Sequence, residues 1–122
     1  MRFRAGQRLR RQNEFRAVRE KGRRHDCGAF TLWSLPRPET GGPQAAIPRV
    51  GVVASRVAVG NAVQRNRANR RLREVFRRHQ ALVPASLDLV IVARSSLNRL
   101  EYAAVEQKFT EACRRLAPSR HV

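Results

Sequence analysis

Residues 61 to 80 read NAVQRNRANRRLREVFRRHQ, a run without proline or glycine that is entered through Gly60. Such a run predicts a helix of about five turns. At about 100° per residue, Ala68, Leu72, Val75, Phe76 and His79 fall on one side and form an apolar stripe that must pack on something. Asn66, Arg70, Arg73 and Arg77 fall in a second stripe within a sector about 60° wide, with Arg67, Arg71 and Arg78 beside it. Two β-rich apolar runs flank this helix in the chain: Arg49 to Ser55 (RVGVVAS) before it and Leu87 to Arg94 (LDLVIVAR) after it. Near-continuous apolar strands suit sheet interiors, so both are expected to lie centrally. A strand, a helix and a strand in that order set the fold class as α/β.

Working outward, Leu9, Phe15 and Val18 follow a loose helical pattern in RLRRQNEFRAVREK (8 to 21). A short helix is expected near 13 to 21, with Asn13 as N-cap and Gly22 as the stop. GAFTLWSL (28 to 35) is rich in β-branched and aromatic residues and predicts a strand that ends at Pro36. Residues 36 to 48 carry four prolines and two adjacent glycines, which can continue neither helix nor central strand, so an exposed loop is expected there. A last amphipathic helix, 101 to 116, runs through Tyr102, Val105, Phe109, Ala112, Cys113 and Leu116 before Pro118. The expected architecture is a single α-β-β-α-β-α sandwich, its helices packed on a small mixed β-sheet. It forms one domain over 1–122, with 1–7 and 117–122 as flexible tails.

The charge is the anomaly of the composition. In 122 residues there are 26 Lys and Arg against 9 Asp and Glu, a formal net charge of +17. No monomeric fold needs that excess, and its self-repulsion is costly, so a polyanionic partner is implied. All but two of the basic residues, Lys21 and Lys108, are arginine, whose planar fork suits phosphate and whose guanidinium plane stacks on bases. Seven arginines between 65 and 78 face one acid, Glu74, and like charges at i,i+3 and i,i+4 destabilise a helix unless the face is occupied. Nucleic acid is therefore the expected partner.

Other classes are excluded by the same reading. The longest apolar stretch, Leu87 to Ala93, is far short of the roughly 20 residues that span a bilayer, so no membrane partner is expected. The basic N-terminus is not followed by the apolar run of a secretory signal, and a cytoplasmic protein is expected. Cys27 and Cys113 have neither metal-ligand nor disulfide-framework spacing and are expected to be reduced, packed thiols. His25, His79 and His121 are scattered, and no Ser/His/Asp set, paired carboxylates or metal spacing appears, so no catalytic residue and no metal site is expected on the protein.

The ordered block VGVVASRVAVGNAVQRNRANRRLREVF, residues 50 to 76, resembles the signature of the bacterial ribonuclease P protein component. The resemblance is carried by Gly60-Asn61-Ala62-Val63, Arg65-Asn66-Arg67, Arg70 and Arg73-Glu74, with Ser55-Arg56 and a Val-Gly strand upstream. It extends from about Arg8 to Leu116 through Arg8, Leu9, Asn13, Glu14 and Phe15, the aromatic strand around Phe30 and Trp33, and Val92-Ala93-Arg94.

The resemblance implies a small basic protein that joins a catalytic RNA and helps it cut the 5′ leader from precursor tRNA. In that family the RNA, with its own Mg²⁺, is the catalyst, and no cofactor is bound by the protein alone. The implied partners are therefore the ribonuclease P RNA and precursor tRNA, with no obligate protein partner. By resemblance, Arg65, Asn66, Arg67, Arg70, Arg71, Arg73 and Arg77 contact RNA, with further contacts from Ser55, Arg56 and Asn61. Phe15, Arg19 and Trp33 match the cleft that holds the single-stranded leader, and the crossover through the arginine helix is implied to be left-handed. Three positions depart from the family's pattern: Arg19 replaces a frequent cleft aromatic, Val57 a usual lysine, and Asn69 a basic residue. The expected phosphate grip shifts accordingly to Arg67 and Arg71. A basic rRNA-binding or ribosome-assembly protein is the alternative, and a DNA-binding module a third possibility. Both explain the charge without explaining the ordered block.

Overall fold

Seven successive residues, Leu87–Ala93, form the strand on which the fold is assembled, and their side chains alternate between two separate apolar clusters. The structure is a computed structural model that describes residues 8–9, 12–37, 47–84 and 86–116. Its elements are α1 (Gln12–Lys21), β1 (Arg23–Asp26), β2 (Phe30–Pro36), β3 (Arg49–Val53), α2 (Ala62–His79), β4 (Leu87–Ala93) and α3 (Tyr102–Leu116). The sheet order is β1-β2-β4-β3, antiparallel except for the parallel β3–β4 pair joined through α2. The α/β sandwich on a mixed sheet is thus observed. The expected tails and residues 38 to 46 of the expected loop lie outside the described residues.

Three details differ from the sequence reading. First, an additional strand, β1, precedes the aromatic one, so the order is α-β-β-β-α-β-α. Its sequence, RRHD, has no apolar pattern to announce it. It is a strand because Gly28, at φ +80°, turns the chain back and the Asp26 side chain accepts a hydrogen bond from the Gly28 N–H at 2.9 Å. Second, β4 is central but β3 lies at the edge of the four-stranded order, where Leu9 N–H donates to Val50 O at 2.9 Å and so covers part of that edge. Third, Asn13 sits inside the first turn of α1, which begins at Gln12, and so does not cap it.

The larger core lies on one face of the sheet, where Phe30, Leu32, Leu89 and Ile91 meet Leu72, Val75 and Phe76 of α2 and Val105 and Phe109 of α3. The stripe expected on the central helix is the buried one: Ala68, Leu72, Val75 and Phe76 are fully buried, and His79 partly. On the opposite face, α1 covers Val90 with Val18, and Leu9, Phe15, Trp33, Leu35, Val53 and Val92 complete this smaller cluster. Charge closes one end of the small cluster. Asp88, only 6% exposed, accepts bonds from Arg37 Nη1 at 2.8 Å and from Arg49 Nε and Nη2 at 2.9 and 2.8 Å, and Arg49 also reaches Glu14 of α1 at 3.2 Å. A buried carboxylate is tolerable because it is paired in this way. Arg37 also donates to Ile47 O, so one network pins both ends of the proline-rich segment.

Gly51 sets how closely α1 approaches the sheet, because a Cβ there would collide with the Phe15 ring and stand 3.2 Å from the Leu9 Cβ. Gly51→Ala is expected to lower stability by about 1 to 3 kcal/mol in chemical denaturation, as overpacking does. Adding Phe15→Leu to that variant should recover part of the loss, and strictly additive costs would show that the two residues do not share the space.

Candidate nucleic-acid interface

The entry to α2 is built before the arginines of the helix itself are reached. Ser55 Oγ accepts from the Ala58 N–H at 3.1 Å and closes a turn, leaving Arg56 and Val57 exposed. Gly60 follows at φ +124°, where an added Cβ would collide with the Gln64 side chain. Asn61 then caps the helix: its Oδ1 accepts from Gln64 N–H at 2.9 Å, and Gln64 Oε1 accepts from Asn61 N–H at 3.0 Å. Ser55 and Asn61, expected to touch RNA, thus use their side-chain oxygens to shape the turn that aims the helix, and of this turn Arg56 is the cation left facing outward.

Along α2 the arginines divide by what they meet. Arg77 is bound to Glu74 through Nε at 3.0 Å and Nη2 at 2.6 Å, and these bonds hold the Glu74 carboxyl below the usual carboxylate range. Arg78 lies 3.8 Å from Glu106 and over the Tyr102 ring, its guanidinium carbon 5.8 Å from the centroid. The carboxyl end of the helix is therefore largely compensated. By contrast Arg65, Arg67, Arg70 and Arg73 have no acidic partner within ion-pair distance among the described residues. Arg70 and Arg73, with Asn66, Asn69 and the paired Glu74 and Arg77, line an open hollow of about 400 Å³ that Arg8 closes from the N-terminal segment. Nothing local in the sequence signals Arg8, since it arrives through the long-range bridge to Val50.

Arg71 departs from the expectation. Its Nη1 donates to Leu97 O at 2.7 Å and its Nη2 to Leu100 O, so the fork holds the turn at Leu97–Arg99 against the helix instead of reaching outward. Burial, and then the charge of Arg67, pulls its pKa below the ordinary arginine value. Asn98 Nδ2 reinforces the same junction by donating to Gln64 O at 2.9 Å. Of the two residues expected to take over the phosphate grip, Arg67 is exposed and Arg71 is tied down.

The three residues expected to form the leader cleft do come together. Phe15 and Trp33 belong to the same small cluster, and the Arg19 guanidinium carbon lies 5.9 Å from the Trp33 ring centroid. They occupy the sheet face that α1 covers, opposite the face on which α2 packs. The two constellations meet around the β3 edge, where Leu9 enters the small cluster while its neighbour Arg8 closes the arginine hollow.

Comparison with known proteins fixes the family: the model described as Ribonuclease P matches residues 3–117. The chain belongs to the ribonuclease P protein family. It is 39% identical over 117 residues to the ribonuclease P protein component of Desulfovibrio desulfuricans, covering 94% of this chain and 85% of that protein. It is 35% identical over 108 residues to that of Brevibacillus brevis, covering 88% and 81%. In structure it is similar to the RNase P protein from Thermotoga maritima, with a TM-score of 0.77 over 91% of this chain and 98% of that one at 24% identity, which supports the fold. The ribonuclease P reading accounts for the ordered block and for these relatives together, and the rRNA-coating alternative finds no support among them. No helix among the described residues is long and apolar enough to cross a membrane.

The division of the arginines can be tested. Arg70→Ala and Arg73→Ala should each weaken binding to ribonuclease P RNA and reduce the salt dependence by about one unit of log–log slope per lost phosphate contact, with little change in melting. Arg71→Ala should do the reverse, leaving the slope alone and costing about 1 to 3 kcal/mol of stability as two carbonyls lose their donor. Equal slopes in all three variants would refute the division.

Proposed function

We propose that this chain is the RNA-gripping and leader-holding subunit of a ribonuclease P holoenzyme in the cytoplasm, where its partners are the catalytic RNA and precursor tRNA. The observation that carries the proposal is the set of uncompensated arginines on α2, two of which, Arg70 and Arg73, share one hollow with Arg8, while the other cations of that helix are already bound to acids or carbonyls. Such a face destabilises the free protein and is relieved when phosphates occupy it, with release of counterions.

In this reading Arg67, Arg70 and Arg73 grip the catalytic RNA, Arg65 and Asn66 stand at the entry to the helix, and Arg56 extends the same surface. The chemistry is assigned to the RNA and its Mg²⁺ ions. Support for that division comes from the protein's own groups. Asp88 is committed to Arg37 and Arg49, Glu74 to Arg77, and no three His, Cys, Asp or Glu among the described residues are placed to hold a metal ion. The protein's part is to bind and orient: the arginines neutralise phosphates that would otherwise repel the substrate, and the half-buried Trp33 offers a ring on which an unpaired leader base can stack.

Cleavage assays test the reading. The RNA-free protein should leave precursor tRNA intact, and its addition to the cognate RNA should raise 5′ processing at low Mg²⁺. Processing by protein that survives nuclease treatment would overturn the assignment of the chemistry. Trp33→Ala should lower affinity for precursor tRNA by about 1 to 3 kcal/mol and leave affinity for mature tRNA nearly unchanged, while Trp33→Phe keeps the ring and most of the affinity. A falling melting temperature with an unchanged precursor-to-mature ratio would make Trp33 a packing residue only.

A further inference from the structure

Arg24 is the residue whose position points beyond this reading. In the β1–β2 pairing it stands directly opposite Trp33, and directly opposed residues of an antiparallel pair project from the same face. That face is the one α1 covers. The neighbouring His25, opposite Leu32, turns to the other side, where it is buried. Trp33 therefore has an arginine on two sides: Arg19, reaching from α1 over the ring, and Arg24, standing beside it on the edge strand.

The two arginines are not in the same state. Arg19 is already engaged with the indole. Arg24 is exposed and has no ion pair among the described residues. Asp26, the acid of β1, is bound to Arg94 at 3.0 Å and to the Gly28 N–H and acts on Arg24 through its charge alone, beyond ion-pair distance, and Glu14 of α1 is bound to Arg49. β1 is an edge strand, so nothing further out in the sheet shields the Arg24 side chain.

We infer that Arg24 is a specificity-determining residue that reads guanine in the single-stranded leader stacked on Trp33. The inference rests on the leader reading above and adds a base preference to it. Stacking alone is indifferent to sequence, because every base has a π-face. A planar guanidinium placed beside the stacked base changes that, because guanine presents O6 and N7 as adjacent acceptors and takes two N–H groups of the fork at once. Adenine carries an amine where guanine has O6 and accepts one at most. Lysine in the same place would keep the charge and lose the paired geometry.

The test uses the holoenzyme, reconstituted with its cognate RNA, and precursor tRNAs whose leaders carry guanine, adenine or 7-deazaguanine at each position in turn. The wild-type protein should favour guanine over adenine by roughly tenfold at one leader position, and 7-deazaguanine, which lacks N7, should bind like adenine there. Arg24→Lys should abolish that preference without lowering the melting temperature or the salt dependence of binding. No guanine preference at any position, or one that Arg24→Lys leaves intact, overturns the inference. Trp33→Ala keeps the two claims apart. If it removes the leader-dependent affinity while the guanine preference is absent from the wild type, the leader reading stands and the Arg24 inference falls. If it leaves leader-dependent affinity unchanged, the leader reading fails and takes the inference with it.

Discussion

The structure depends on a conflict within one helix. α2 carries seven arginines and a single acid in residues 65 to 78, and it must nevertheless sit against the sheet through Ala68, Leu72, Val75 and Phe76. Burying that stripe is favourable by roughly 1.5 to 3 kcal/mol for each large apolar side chain, whereas each like-charged i,i+4 pair costs a few tenths, so burial decides and the charge is carried along. What remains of the conflict is contained locally. The reciprocal Asn61–Gln64 cap fixes the start, the Glu74–Arg77 pair and Glu106 temper the end, and Arg71 is turned inward onto two carbonyls. The residual positive charge is left in the middle of the helix, on the side away from the core.

Under the proposed function, a four-stranded sheet with one helix on one face and two on the other keeps two kinds of recognition apart. Phosphate needs cations turned toward open space, and Arg70 and Arg73 of α2 share such a hollow with Arg8 at the β3 edge. A single-stranded base needs a flat apolar surface with a wet rim, and the smaller cluster under α1 offers that through Trp33. The close approach of α1 at Gly51 and the Asp88–Arg49–Glu14 chain of contacts hold the helix against this face. Arginine thus has three uses in one small fold: pinning buried carboxylate, tying a turn to a helix, and remaining open to solvent.

Much of this was legible because it follows from periodicity. The buried stripe of α2, the amphipathic α3 and the apolar β4 are each set by local pattern, and the motif block identified both the partner class and the family. What escaped the sequence depends on contacts distant in the chain. β1 is polar and exists through its register with β2; β3 is as apolar as β4 yet lies at the edge; Arg8 joins the arginine hollow because it bridges to Val50, whose carbonyl takes the Leu9 N–H. Arg71 is indistinguishable in sequence from Arg70, and only the position of the turn at Leu97–Arg99 shows that one is tied down and the other is not. Arg24 was hidden for the same reason, since its relation to Trp33 is a matter of strand register.

The central claim is that the two surfaces take different RNAs, and site-resolved crosslinking tests it most directly. Photoreactive uridines would be placed either in the catalytic RNA or in the leader of precursor tRNA, and the crosslinked residues identified by mass spectrometry in the assembled holoenzyme. The account predicts that catalytic RNA crosslinks to α2 between Arg65 and Arg73 and near Arg8, and that the leader crosslinks to α1 and the β1–β2 face around Trp33. Leader crosslinks confined to the outer arginines of α2, with the Trp33 face untouched, would contradict it.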